Sequence, residues 1–353
     1  MNFSTTRVNS SELNEGNYIS TENMLQDYQG IVDAKSVPED VNVISFSCGD
    51  ILISNIRPYL KKVWKATYNG GCSSDVFVLK ANDNIESDYL HYVIANDKFI
   101  NFVMSGAKGV KMPRGDKNQM KTYSLSLPQI QEQKKIGKML SLLDERIATQ
   151  NKIIDKLQSL IKGIVDSTIL RKEKNAIVGD VCSISEQIRA EANIDDIITV
   201  RLHGNGVCKS SAENLQLGAT QYYRRRAGQL IYGKQNFHNG AIGIVPISLD
   251  NGITSKDIPS FDIDEMKCNS VYLLAQLQSP QYYKPAEALT TGTGSKRLKE
   301  ETFLKMPIVL PNKREQDNIA TLIISISANL DQAKKMLDLF SIQKQYLLRQ
   351  MFI

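Results

Sequence analysis

Two stretches of this 353-residue chain match each other in register, and that duplication limits its possible folds more than any other feature. Leu127-Pro128-Gln129-Ile130-Gln131-Glu132-Gln133 can be laid over Leu310-Pro311-Asn312-Lys313-Arg314-Glu315-Gln316, 183 positions later, with Leu-Pro and Glu-Gln shared. Beyond the first copy, Ile136, Leu140, Leu143, Ile147, Gln150, Ile154, Leu157, Ile161 and Ile164 alternate steps of four and three, the a/d seam of a coiled coil. Beyond the second, Ile319, Ile323, Ile326, Leu330, Ala333, Leu337, Phe340, Lys344 and Leu347 keep the same steps at the same offset. Gln150 is the polar exception in one seam and Lys344 the charged exception in the other. A single stripe of this kind is the ordinary face of a core-facing helix, but two at one offset point to helices that pair with each other. A helix from residue 133 to about 170 would be roughly 55 Å long at ~1.5 Å per residue, too long for one small domain to cover. Each helix follows a globular segment, so an intramolecular pair is expected to be antiparallel, with the modules head to tail about a pseudo-twofold axis.

The segments ahead of the helices echo each other as well. Gly49-Asp50-Ile51-Leu52-Ile53 resembles Gly228-Gln229-Leu230-Ile231-Tyr232, 179 positions later, and both read as a glycine turn entering a buried strand. Each module then carries a glycine- and lysine-rich loop before its Leu-Pro pair: Gly106-Ala107-Lys108-Gly109-Val110-Lys111 in one, Gly292-Thr293-Gly294-Ser295-Lys296-Arg297 in the other. Strands are expected at 75–79 and 242–246, and helices at 89–103 and 271–278. With no regular strand-helix-strand alternation, the class is α+β: two mixed modules separated by two long helices. Residues 172–175, Lys-Glu-Lys-Asn, read as a polar hinge into the second module.

Chemistry-bearing patterns are sparse. Asn-Pro-Pro-aromatic, the pocket for a flipped adenine, does not occur, and no two prolines are adjacent. No G-x-G-x-x-G follows a strand, and Gly292-Thr293-Gly294-Ser295-Lys296 lacks the Gly directly before Lys that a nucleotide loop requires. His91, His203 and His238 show no metal-ligand spacing; Cys48, Cys72, Cys182, Cys208 and Cys268 form no C-x-x-C pair, so reduced thiols are expected. No stretch approaches the ~18 uncharged apolar residues of a membrane span, and the N-terminal residues lack a signal-peptide core, so a cytoplasmic protein is expected. The net charge of +5 tolerates a polyanion without requiring one.

Basic and amide residues gather at turns in both modules. Asn55, Arg57, Lys61 and Lys62 follow the first strand, and Lys108, Lys111, Arg114 and Lys117 cluster among Gly106, Gly109 and Gly115. In the second module Arg224, Arg225 and Arg226 precede Gly228, Lys234, Gln235 and Asn236 follow the strand, and Lys296 and Arg297 close the glycine loop. Arg reads guanine and Asn or Gln reads adenine by paired hydrogen bonds, while Lys and glycine-loop N–H groups hold phosphates. Double-stranded DNA is the partner this pattern fits.

On the doubled Leu-Pro-x-x-x-Glu-Gln motif with its heptad helices, and on the glycine loops ahead of them, the chain resembles the specificity subunit of type I restriction-modification systems over essentially its whole length. The resemblance implies two target-recognition domains, 1–127 and 175–309, each reading one half of a split DNA site, and two spacer helices, 128–174 and 310–353, that form an antiparallel coiled coil. It implies a non-catalytic subunit with no cofactor of its own: S-adenosylmethionine, ATP and Mg would belong to partners, two methyltransferase subunits and, where present, restriction subunits. One departure stands out. Val178-Gly179-Asp180-Val181 opens the second module 49 positions before Gly228, and the same distance before Gly49 falls at position 0, so the first module is expected to be a shortened variant or truncated at its start. Half-sites about one B-DNA turn, ~34 Å, apart are expected from the helix length. A scaffold whose helices assemble and whose modules bind protein is the alternative, and it predicts no salt-dependent DNA affinity.

Overall fold

The computed structural model describes residues 2–125, 127–210, 220–292 and 296–352. Two compact units account for the chain, one of Met1–Asn151 with Lys335–Ile353 and one of Lys152–Lys334. Their boundary falls inside both long helices, so each unit takes in part of each helix.

The first unit contains β1 (Asn2–Phe3), β2 (Arg7–Asn9), β3 (Tyr18–Ile19), β4 (Asn42–Phe46), β5 (Ile51–Ser54), β6 (Val63–Lys65), β7 (Gly70–Cys72) and β8 (Val76–Lys80). Among the described residues these form two sheets, ordered β1-β8-β5-β6 and β2-β4-β7-β3. Gly49, at φ +92°, turns the chain into β5 in a conformation that favours glycine. Along β5 successive side chains alternate between two cores: Ile51 and Ile53 face the helices, while Leu52 packs with Phe46, Val76 and Val78 between the sheets. A strand buried on both faces reads as an unbroken apolar run, which is why Ile51-Leu52-Ile53 is legible as one.

The helices α1 (Ser87–Ile94), α2 (Asp97–Ser105) and α3 (Lys117–Lys121) lead into the long α4 (Ile130–Val165), which continues as a wider helical turn over Asp166–Leu170. The single helix expected over 89–103 is therefore two. Asn96 breaks it: in an extended conformation its side chain accepts from the backbone N–H of Lys98 and caps α2.

The second unit repeats this plan. It holds β9 (Ala176–Ile177), β10 (Cys182–Ile184), β11 (Arg189–Ala190), β12 (Ile198–Val200), β13 (Val207–Lys209), β14 (Tyr222–Arg224), β15 (Leu230–Tyr232), β16 (Ile242–Ile244), β17 (Ile253–Ser255) and β18 (Ser260–Ile263). Then come α5 (Ser270–Leu277), α6 (Pro280–Tyr283), α7 (Glu300–Leu304), β19 (Pro307–Ile308) and α8 (Lys313–Met351). The sheet β10-β18-β15-β16 reproduces β1-β8-β5-β6, and β11-β14-β17 reproduces β2-β4-β7. Leu230 and Tyr232 face the helices while Ile231 turns to a separate core with Ile198 and Val200. Each helix in one unit starts 183 positions before its counterpart, α1 with α5 through to α4 with α8.

The shared Glu-Gln of the repeat has a structural role that its sequence does not reveal. Gln133 is buried; its amide oxygen accepts from the N–H of Glu86, the cap of α1, and its amide nitrogen donates to the carbonyls of Asn84 and Pro128. Gln316 does the same for the second unit, accepting from Asn269, the cap of α5, and donating to Lys267 and Pro311. One side chain thus fastens the start of each long helix to the start of a short one.

Within each unit the long helices run antiparallel. In the first, Asp144 of α4 accepts from Lys344 of α8 and Arg146 lies over Phe340. In the second, Val165 and Ile169 share a core with Ile319 and Ile323, and Lys172 pairs with Glu315. All the seam positions, from Ile136 to Ile164 and from Ile319 to Leu347, are buried or half-buried, while Lys134, Lys138, Glu145 and Lys152 are exposed. The hinge expected at 172–175 is instead tied down, because Asn175 donates its N–H to the Ile308 carbonyl and exchanges hydrogen bonds with Leu310, in addition to the Lys172–Glu315 pair.

Candidate nucleic-acid interface

In the first unit the glycine loop is closed at its base by reciprocal backbone hydrogen bonds between Lys108 and Arg114, at 3.0 and 2.9 Å. The same ladder joins Thr291 and Arg297 in the second, at 3.0 and 2.9 Å, again 183 positions on. Each loop is also stitched to the residue that follows the central strand. Asn55 donates its N–H to the Asp75 carbonyl and accepts from Gly115; Lys234 donates to Asp257 and accepts from Leu298. The arginine at each base meets the aspartate beside it, Arg114 with Asp75 at 3.5 Å and Arg297 with Asp257 at 3.2 Å. One N–H edge is thereby engaged on a guanidinium that carries five donors. Asp75 and Asp257 were not among the residues singled out from sequence; they lie 182 positions apart, one short of the offset that the loops share, so the repeat alone does not align them.

Around this common frame the side chains differ. In the first unit Lys108, 83% exposed, meets Asp116 at 3.2 Å. Asp116 caps α3, and the N–H groups of Asn118 and Gln119, with Lys108, hold its carboxyl below the usual range. Lys111 and Arg114 are exposed, and Val110 and Met112 present apolar surface at the loop tip. Arg57 is held at φ +49°, a conformation that strains a residue with a Cβ. Its Nε and the Oδ1 of Asn55 are buried without a hydrogen-bond partner among the described residues. In the second unit Gln235, Asn236, Lys296 and Arg297 are exposed, and Lys296 meets Glu287 at 3.0 Å. The hydrogen bond and charge of Lys296, with His238 nearby, lower the Glu287 carboxyl. Thr293, Gly294 and Ser295 lie outside the described residues.

Several basic residues expected at this surface are used inside the fold. Arg225 is 0% exposed: Nε donates to Thr254 at 2.7 Å, Nη1 to Ser260 at 2.9 Å and Gln187 at 3.3 Å, and Nη2 to the Ile258 carbonyl at 3.0 Å. Burial pushes its guanidinium down to about 10. It links strands β14, β17 and β18 and is not available to a ligand, whereas its neighbour Arg224 points to solvent because alternate residues of a strand face opposite ways. Lys62 donates to the Thr21 carbonyl at 2.6 Å and burial lowers its pKa; Lys61 pairs with Asp97 at 2.7 Å, and Lys234 with Glu300 at 2.7 Å. These three lysines brace loops. Among the described residues no cluster of His, Cys, Asp and Glu could hold a metal ion, and no helix is long and apolar enough to cross a membrane.

A family model for the type I restriction modification DNA specificity domain matches residues 4–159. The type I restriction enzyme MjaVIII specificity subunit of Methanocaldococcus jannaschii is 23% identical over 297 residues, covering 75% of this chain and 69% of the relative. The putative MjaX specificity subunit of the same organism is 33% identical over 136 residues, 36% of this chain and 32% of the relative. Among solved structures, the S subunit of a type I restriction-modification system from M. genitalium superposes with a TM-score of 0.62 at 14% identity, over 100% of this chain and 96% of that one.

Proposed function

Because this chain belongs to the type I restriction-modification DNA specificity family, we propose that it reads, for such a complex, a double-stranded target made of two unlike halves, one per unit. The family's specificity subunit recognises DNA without catalysing its modification or cleavage. The observation that carries the bipartite reading is the twice-built loop frame, with the same ladder and the same Arg–Asp pair, bearing different side chains in the two units. The frame positions, and the side chains on it specify: exposed Lys108, Lys111 and Lys296 suit phosphates, while Arg114, Arg297, Gln235 and Asn236 suit base edges.

In this reading S-adenosylmethionine, ATP and Mg act in partner subunits. Two modification subunits dock on the paired long helices, restriction subunits join them, and the assembly works on DNA in the cytoplasm. Mapping methylated bases in cells that carry this gene with its modification subunit tests the proposal. A split motif with two different halves is expected; a continuous or palindromic motif rules it out. For the purified complex, affinity should fall steeply with salt, log K against log salt having a slope near −0.9 per phosphate neutralised.

A further inference from the structure

We propose that the turn joining β12 to β13 is an additional base-reading element of the second unit; the proposal rests on the DNA-reading role assigned above. In the first unit β3 occupies the place of β12, running parallel to β7 as Ile197 bridges Ile253, and no strand there pairs with β3 in the manner of β13 among the described residues. The first unit closes the matching stretch by a bridge between Met24 and Ile31, so among the described residues the hairpin tip of residues 201–206 is particular to the second unit.

The tip is built to hold its side chains in place. Ile198, Val200 and Val207 pack its base against Ile231, Ala241 and Val245. Arg201 donates its N–H to the Gly206 carbonyl, and the N–H groups of His203 and Gly204 donate to Asn239 and Gly240 at 2.8 and 2.9 Å. His203, Gly204 and Gly206 all have positive φ, at 59°, 71° and 73°. Glycine takes that conformation freely, whereas a histidine there costs on the order of 1 kcal/mol. The turn is pressed against the loop after β15 and against β16: a Cβ on Gly240 would lie 3.0 Å from the Gly204 nitrogen, and one on Gly243, in β16, 3.1 Å from the Gly206 Cα. That loop presents Gln235 and Asn236, so the tip extends a surface already assigned to DNA.

Its chemistry suits that surface. Arg201, His203 and Asn205 are exposed, and from Ile197 to Lys209 there is no carboxylate side chain, while Arg201 and Lys209 are cationic. An imidazole, an amide and a guanidinium offer the donors and acceptors that base edges in the major groove require. The half-site read by the second unit then contains more specified base pairs than the other.

The test uses the full chain in complex with its modification subunits and selects from a pool of DNA duplexes with randomised base pairs. The wild-type complex is compared with a His203→Asn, Asn205→Ala variant; Asn tolerates the left-handed conformation, and both glycines are retained. Discrimination at one to three base pairs of one half-site is expected to fall about tenfold. The other half-site, unchanged, shows that the complex is folded and assembled. An Arg201→Gln variant, which leaves the strained residue untouched, is expected to make the salt slope shallower by about one. Variants that select the wild-type motif with the wild-type slope, or that weaken both half-sites equally, overturn this proposal alone. A wild-type complex that selects no split motif overturns the bipartite reading and this proposal with it.

Discussion

The four hydrogen bonds that Arg225 makes leave no neutral way to shorten it. Arg225→Ala strands the partner groups of Thr254, Ser260 and Gln187 and opens a cavity, so unfolding free energy should drop by about 3–5 kcal/mol, measured by denaturant titration. The folded fraction should keep its salt slope for DNA; a shallower slope would return Arg225 to the interface. His91 is a second interior group with a measurable consequence. The residue is half-buried, its Nδ1 is buried without a partner among the described residues, and burial pushes the imidazole down to about 4. The unfolded chain takes up a proton below about pH 6.5 that the folded chain refuses, so stability is full above that pH and falls as pH drops toward 4, by up to about 3 kcal/mol. His91→Leu, the residue at the matching position 274, should remove that part of the acid loss; equal losses from pH 7 to pH 4.5 in both proteins would count against it. Arg224 and Arg225 show why side chains were the least legible level in sequence. The pair reads as one basic cluster, and only the pairing of β14 decides which of the two is inside.

At the level of elements, the heptad steps were legible because each long helix buries one narrow stripe along its whole length, and every position of that stripe is at least half-buried. The Gln133 and Gln316 clamps were not legible, since their partners Glu86 and Asn269 lie 47 positions upstream and no local pattern links them. Gln133→Ala and Gln316→Ala should each lower unfolding free energy by about 2–4 kcal/mol through three lost hydrogen bonds, with hydrogen exchange rising first at the starts of α1 and α5 respectively. Protection that is unchanged there would show the clamps to be idle. The two polar seam positions should part company. Lys344 meets Asp144, which also accepts from Tyr92, so Lys344→Leu leaves a partly buried carboxylate short of a partner and should lower the thermal midpoint. Gln150→Leu adds apolar surface to a half-buried stripe but removes an interaction that Gln150 makes, so it should lower the midpoint less than Lys344→Leu does; a larger fall would mean that the seam is misplaced.

Over the whole molecule, the duplication splits into a constant part and a drifting part. The helices keep the 183-residue offset from α1 to α8, while the turns into the central strands, at Gly49 and Gly228, are 179 apart. Packing against the long helices fixes the first, and loops facing solvent tolerate insertions in the second. That is why the architecture could be read from sequence, whereas the β12–β13 hairpin could not: the matching stretch of the first unit, between β3 and β4, is of nearly the same length and folds differently among the described residues. Lys296→Ala with Arg297→Ala should weaken DNA binding while co-purification with the modification subunits is unchanged; lost co-purification would make that loop structural. One arrangement also bears on the order of synthesis. The second unit is a continuous run, Lys152–Lys334, but the first draws on Lys335–Ile353, from which Phe352 enters its core against Tyr89 and accepts a hydrogen bond from Lys98. On the ribosome, the unit begun first is therefore the last that can close, and until then its exposed apolar face calls for a chaperone more than the unit made after it.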